Sequence, residues 1–192
     1  MNFLEERIRK EAIILSQKVL KVDSFINHQI DVEMTRKIAA EMKHRFVNEE
    51  ITKILTIEAS GIAIAVVLAE MLGNIPVVFA KKSPAVNNSD DRYVHRAFSF
   101  THQQYFDIYV SKPFLNSDDK LLIVDDFLAD GQAMTAMLSI AHQAGAEVAG
   151  LTVAVEKGFQ PGGNELRQQG YHVESIARIK SMNAETGEIE FM

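Results

Sequence analysis

One stretch constrains the fold more than any other: Leu121-Leu122-Ile123-Val124-Asp125-Asp126-Phe127-Leu128-Ala129-Asp130-Gly131-Gln132-Ala133. Four consecutive apolar residues without alternation read as a strand covered on both faces, which is the pattern of a central strand in a parallel sheet. Two acids emerge where that strand ends, and Gly131 supplies a tight turn. Residues 132–144 then carry a helical pattern that stops at Gly145, a good C-cap. A buried strand that turns on a glycine directly into a helix needs an α/β fold around it.

The rest of the chain repeats the alternation. Met34, Ile38, Met42 and Phe46 fall at steps of four behind Asp31, which predicts an amphipathic helix capped by that aspartate. Residues 51–57 are β-rich and predict a strand. Glu58-Ala59-Ser60-Gly61 follows, and 62–72 is apolar on all sides up to Gly73, the pattern of a buried helix. Strands are expected at 76–80, at 105–110 with Phe106, Ile108 and Val110 on one face, at 148–155 and at 171–179, with a short helix near 164–169. Between 81 and 104 the pattern lapses into Ser, Asn, Asp, Arg and His with Pro84, which predicts a long loop of the kind that forms lids. The fold class is therefore α/β, with a central, mainly parallel sheet flanked by helices in a single domain over 1–192. Such sheets bind ligands at the carboxyl ends of their strands.

Composition narrows the function classes. A chain of 192 residues, 47% apolar and 24% charged, can bury a self-sufficient core. A net charge of −6 favours neither nucleic acid nor an anionic membrane as partner. The chain has no cysteine, so disulfides, thiolate metal sites and cysteine nucleophiles are excluded together. Glu5, Glu6, Arg7, Arg9, Lys10 and Glu11 interrupt the start, leaving no signal-peptide core, and the longest apolar run, 61–69, is too short to cross a bilayer. The expectation is a cytoplasmic protein, and no residue is assigned as a metal ligand.

The chemistry of the 121–133 run is specific. Backbone N–H groups of a glycine turn at a helix start form a cradle for a phosphate dianion. The dipole contributes ~0.3–1 kcal/mol and each charge-assisted hydrogen bond ~1.5–3 kcal/mol. Asp125 and Asp126 cannot bind the same phosphate, since like charges repel, but they suit a diol that donates hydrogen bonds to them. Phosphate on one side and diol on the other describe a ribose 5-phosphate. An acid pair alone would fit an ordinary capped turn; the buried strand before it and the turn and helix after it favour the ligand site. Ser60 and Gly61 offer a hydroxyl and backbone N–H groups at a second strand-to-helix junction, which reads equally as an ordinary helix cap. Lys157, just past the apolar strand, reads by itself as a surface lysine closing a strand, and the Asn27 amide could serve either an oxygen or, flipped, an amino group.

The run resembles the phosphoribosyl pyrophosphate signature of the type I phosphoribosyltransferases: four apolar residues, two acids, two apolar residues and a small-residue turn. Similarity to the bacterial members that act on xanthine extends over nearly the whole chain, through 19–29, Ser60-Gly61, 125–133 and Glu156-Lys157-Gly158-Phe159-Gln160-Pro161-Gly162. The resemblance implies a type I phosphoribosyltransferase fold with a flexible flap at 83–104, bearing Arg92, His95 and Arg96. It also implies a small base-binding hood built from 1–30 and 156–192. The implied reaction joins xanthine to phosphoribosyl pyrophosphate, giving xanthosine 5-monophosphate and pyrophosphate, in a homodimer.

By the same resemblance Asp125 and Asp126 hold the ribose hydroxyls as the catalytic pair, and Ala129, Asp130, Gly131, Gln132 and Ala133 take the 5-phosphate. Ser60, Gly61 and Lys81 meet the pyrophosphate, Lys81 in the neighbouring subunit's site. Leu20, Asn27, Phe127 and Lys157 surround xanthine, and Mg2+ arrives with the pyrophosphate substrate. Two positions depart from the pattern. Asp130 stands where Asn or Thr is expected, so its carboxylate should turn outward; Ala129 stands where hypoxanthine-guanine enzymes often carry an aspartate near N7. The physics of the residues supports an oxopurine without separating xanthine from guanine or hypoxanthine. A regulator that keeps the fold without catalysis is the reading from another class.

Overall fold

The computed structural model describes residues 1–84, 91–99 and 104–192. Helix α1 (Phe3–Glu11) and an antiparallel hairpin of β1 (Ile13–Ser16) and β2 (Val19–Lys21) precede a single π-type turn at Asp23–Asn27. Then come α2 (Val32–Arg45), β3 (Lys53–Ile57), α3 (Gly61–Met71), β4 (Val77–Pro84), β5 (Arg92–Ser99) and β6 (Gln104–Ser111). The second half is β7 (Lys120–Leu128), α4 (Gln132–Ala144), β8 (Glu147–Lys157), α5 (Gly162–Gln168), β9 (Val173–Met182) and β10 (Ile189–Phe191). The large sheet has the order β10-β9-β8-β7-β3-β4-β6-β5. Its five middle strands, β9 to β4, run parallel, while β10, β6 and β5 pair antiparallel at the two ends.

Strand β7 is the centre of this sheet for the reason its sequence suggests. Leu121, Leu122, Ile123 and Val124 are all fully buried. Successive side chains of a strand point to opposite faces. Leu122 and Val124 accordingly join the core beneath α1, α2 and α3, and Leu121 and Ile123 join the core beneath α4. The caps follow the local sequence. Asp31 accepts a hydrogen bond from the Met34 amide at 3.0 Å, and Gly145 ends α4 with φ +71.

Two expectations need correction. The stretch 81–104 is not one loop. Residues 81–84 extend β4, and β5 pairs with β6 along its whole length, from Arg92 opposite Ser111 to Ser99 opposite Gln104. Backbone ladders and cross-strand pairs hold this arm: Arg96 donates to Asp107 at 2.9 Å, and the Arg92 guanidinium lies 4.2 Å from the Tyr109 ring centre. Strands that bury neither face continuously need no apolar alternation, which is why the pattern vanished. Residues 85–90 and 100–103 of the expected flap lie outside the described residues. Helix α3, in turn, is not buried all round. Ile64, Ala65, Leu68 and Ala69 pack inward, while Val66 is 53% exposed.

Several elements were not foreseen. Helix α1 begins with a reciprocal cap between Asn2 and Glu5, and the Asn2 amide also donates to the Ile176 carbonyl at 2.7 Å, tying the helix to β9. No described helix is long and apolar enough to cross a membrane.

Leu122→Ala should lower stability by about 2–5 kcal/mol, because the cavity opens in a strand that cannot collapse sideways. Val47→Ala, at a position 68% exposed, should change it by less than about 0.5 kcal/mol. Urea unfolding of both variants checks the difference.

Candidate functional site

The two acids at the carboxyl end of β7 are both buried, Asp125 at 6% and Asp126 at 8% exposure. Each is oriented by the amide that follows it: Asp126 N donates to Asp125 Oδ1 at 2.9 Å, and Phe127 N donates to Asp126 Oδ1 at 3.0 Å. A carboxylate offers about four lone-pair sites, so one local bond aims each acid without exhausting it. Burial pushes the Asp125 carboxyl well above the usual carboxylate range, and the adjacent Asp126 charge pushes the same way; the Asp126 amide and the Lys82 ammonium oppose them. Such a pair favours partners that donate protons to oxygen, hydroxyls above all, or that bring positive charge.

The β3–α3 junction is built around this pair. An ideal Cβ on Gly61 would lie 2.9 Å from Asp125 Oδ1 and would also collide with Thr56 Oγ1. Gly61 is thus a glycine because Asp125 and Thr56 occupy the space of a side chain, a reason its sequence setting did not reveal. Ser60 precedes it at the helix start without spending its hydroxyl on a cap. Glu58 accepts a hydrogen bond from the Lys82 amide, which ties this junction to β4.

The structure separates the two lysines of β4. The charge of Lys82 is felt at Asp125. Lys81 instead holds its ammonium 5.7 Å from the Phe79 ring centre, in a shallow outer cavity with Arg92, Tyr109 and Phe114. Within one chain, the β4 lysine whose charge acts on Asp125 is Lys82, and alternation along the strand is the signal that could have found it.

Beyond Leu128 the chain turns on Gly131, whose φ of +87 is left-handed, and enters α4. Asp130 is exposed, as its charge demands, yet it has not swung free. Its Oδ1 accepts from the Gln132 amide at 3.2 Å and its Oδ2 from the Gln132 side chain at 3.0 Å. An anion that takes the Gln132 N–H must displace this carboxylate. Behind the turn stands Gly162, whose amide donates to the Ala129 carbonyl at 3.2 Å. A Cβ on Gly131 would come within 3.0 Å of Gly162 Cα.

Lys157 ends β8 on the neighbouring strand. Its ammonium donates to the Lys18 carbonyl at 2.8 Å, in the β1–β2 hairpin, and lies 5.3 Å from the Phe127 ring centre. Burial pushes it below the ordinary lysine range, against the opposing charge of Asp130. Leu20 is buried in β2, and Asn27 stands exposed at the end of the π-type turn. Lys157, Phe127 and the hairpin are therefore brought together; Asn27 makes no hydrogen bond to them among the described residues. No group of three or more His, Asp or Glu able to hold a metal ion occurs among the described residues.

The family model of the phosphoribosyl transferase domain matches residues 21–181. The chain is 50% identical to a xanthine phosphoribosyltransferase of Bifidobacterium longum (strain NCC 2705), over all of this chain and 99% of that protein. It is 48% identical to one of Lachnoclostridium phytofermentans, over all of this chain and 98% of that protein. Among solved structures it resembles a Giardia lamblia APRTase complexed with 9-deazaadenine, with TM-score 0.72, 21% identity, and coverage of 93% of this chain and 98% of that one. At that identity the likeness speaks for the fold.

Gly61→Ala should cost about 1–3 kcal/mol of stability, as overpacking against Asp125 and Thr56. Thr56→Ala in the same chain should recover part of the loss, because it removes one of the two obstacles. A double-mutant cycle by urea unfolding checks it.

Proposed function

The chain belongs to the phosphoribosyl transferase family, and from that premise we propose that it joins xanthine to 5-phosphoribosyl 1-pyrophosphate, forming xanthosine 5-monophosphate and releasing pyrophosphate. The observation that carries this reading is the buried acid pair of β7 beside a left-handed glycine turn at the start of α4. About 50% identity over full length to relatives bearing that activity in their names supports the choice of base.

In this reading the backbone of Ala129, Asp130, Gly131, Gln132 and Ala133 receives the 5-phosphate, and Asp130 yields the Gln132 N–H to it. Asp125 and Asp126 accept hydrogen bonds from the ribose hydroxyls, which fixes the ring and aims C1 at the base. Ser60 and Gly61 receive the pyrophosphate from the α3 side. Lys81 reaches the pyrophosphate of a neighbouring subunit. Lys157 donates to the purine O6, Phe127 and Leu20 cover the ring faces, and Asn27 closes on O2. Positioning lets the purine nitrogen bond to C1 as the bond to pyrophosphate breaks. Magnesium arriving with the pyrophosphate substrate would offset charge on the leaving group, and Asp125 and Asp126 are the residues of the chain that would stand beside it.

The N-terminal 1–30 and C-terminal 156–192 segments act as a hood over the base. The Lys157–Lys18 bond and the Asn2–Ile176 bond, which join the two segments, support this. A homodimer fits the same proposal: Val66, Phe79 and Phe114 leave apolar surface in water that a second copy would cover. We propose a cytoplasmic location together with this activity. A preference for guanine or hypoxanthine is the alternative; for guanine, what favours it is that the exposed Asn27 amide, flipped, would accept from the 2-amino group.

Offered xanthine, guanine, hypoxanthine and adenine in turn, the protein should release pyrophosphate fastest with xanthine and negligibly with adenine, whose 6-amino group meets the Lys157 donor. Fastest release with guanine or hypoxanthine would select the alternative, and no release with any base would refute transfer. Asp126→Ala should lower turnover by roughly 100-fold by freeing the ribose ring. Steady-state kinetics checks that loss, and unchanged turnover would remove Asp126 from the mechanism.

A further inference from the structure

Glu156 lies beside Lys157 near the end of β8 and is 1% exposed. Its carboxylate is filled from within. Arg167 of α5 grips both oxygens, Nη1 to Oε1 at 2.8 Å and Nη2 to Oε2 at 2.7 Å. Arg178 of β9 donates through Nε to Oε1 at 2.9 Å, and the Ser175 hydroxyl donates to Oε2. Burial alone would raise its pKa, but the bonds from Arg167 and Ser175 and the charges of both arginines hold it below the ordinary range. These bonds occupy the lone pairs of a carboxylate, so Glu156 has none to offer a substrate. Any part it plays is indirect.

The bonds lead to the phosphate turn. Arg167 belongs to α5, and Arg178 also donates to Asn164 of α5 at 2.7 Å, so both arginines tie that helix to one carboxylate. At Gly163 a Cβ would strike the Glu156 carboxylate and the Arg167 guanidinium. At the next residue back, Gly162, a Cβ would lie 2.5 Å from Gly131 N and 2.7 Å from the Ala129 carbonyl oxygen. Carboxylate, Gly163, Gly162 and the 129–131 turn are therefore packed in sequence with no room between them.

We propose that Glu156 is a positioning residue for the 5-phosphate of the donor: it clamps α5 so that Gly162 props the 129–131 turn open to the anion. This rests on the reading that the turn takes that phosphate. The carboxylate must be ionised and doubly forked by Arg167 to serve; a Gln side chain would face the arginine donors with its own N–H groups.

The test compares wild type with Glu156→Gln, Gly163→Ala and a control, Arg45→Gln. Arg45 bonds Glu41, Glu174 and the Ser175 carbonyl and, among the described residues, donates no hydrogen bond to α5. Ribose 5-phosphate binding is measured by calorimetry well below each melting temperature, and kinetics are measured with xanthine. Both test variants should bind ribose 5-phosphate roughly tenfold more weakly. The KM for the donor should rise in step, while kcat and the KM for xanthine stay within about threefold. Arg45→Gln should match wild type in all three. Wild-type affinity in Glu156→Gln, or the same loss in Arg45→Gln, overturns the proposal. If Glu156→Gln does not fold, Gly163→Ala decides alone. A wild type that binds ribose 5-phosphate yet releases no pyrophosphate refutes the activity while calorimetry still judges Glu156; one that binds none overturns both.

Discussion

Two carboxylates held side by side and nearly out of water repel each other, and burial with the neighbouring charge pushes the Asp125 carboxyl above the usual carboxylate range. Asp125 and Asp126 are in that position because the strand that carries them is central: its apolar residues are covered on both faces, and the cover extends past the last of them. The surrounding structure accommodates the pair instead of neutralising it. Gly61 gives up a side chain to leave Asp125 its space, and Lys82 stands near enough to favour the ionised form. A buried pair so arranged gains free energy when hydroxyls or a cation reach it.

Glu156 shows the contrast on the adjacent strand. It is as buried as the acid pair, yet two arginines and a serine saturate it, and its pKa moves down where that of Asp125 moves up. Burial alone therefore does not mark a reactive acid. The saturated carboxylate has no lone pair left to offer, whereas each acid of the pair is aimed by one amide and keeps some. The Lys157 ammonium, next to Glu156 in sequence, rests on the Lys18 carbonyl.

Much of this was legible in the sequence where a local rule acts alone. The 121–133 run placed the central strand, the turn and α4, and Asp31 and Gly145 marked helix ends by capping chemistry that needs only neighbouring residues. Elements whose reason is tertiary stayed hidden. The β5 strand is held by pairing with β6, and α1 by a hydrogen bond from the Asn2 amide to the Ile176 carbonyl, 174 residues away in sequence. For the same reason the sequence around Gly61 does not reveal that Asp125 and Thr56 fill the space of a side chain there, nor that the charge of Lys82 acts on Asp125. The apolar girth of α3 predicted full burial, and the exposed Val66 shows that a single chain does not supply it.

The claim at the centre is that the acid pair and the glycine turn hold opposite ends of one sugar phosphate. Diffraction from crystals grown with ribose 5-phosphate tests it most directly. The account predicts the phosphate within hydrogen-bond reach of the 129–133 amides, Asp130 displaced from the Gln132 N–H, and the ribose diol on Asp125 and Asp126. A sugar phosphate bound elsewhere, with both carboxylates turned to protein groups and the turn closed by Asp130, would contradict it.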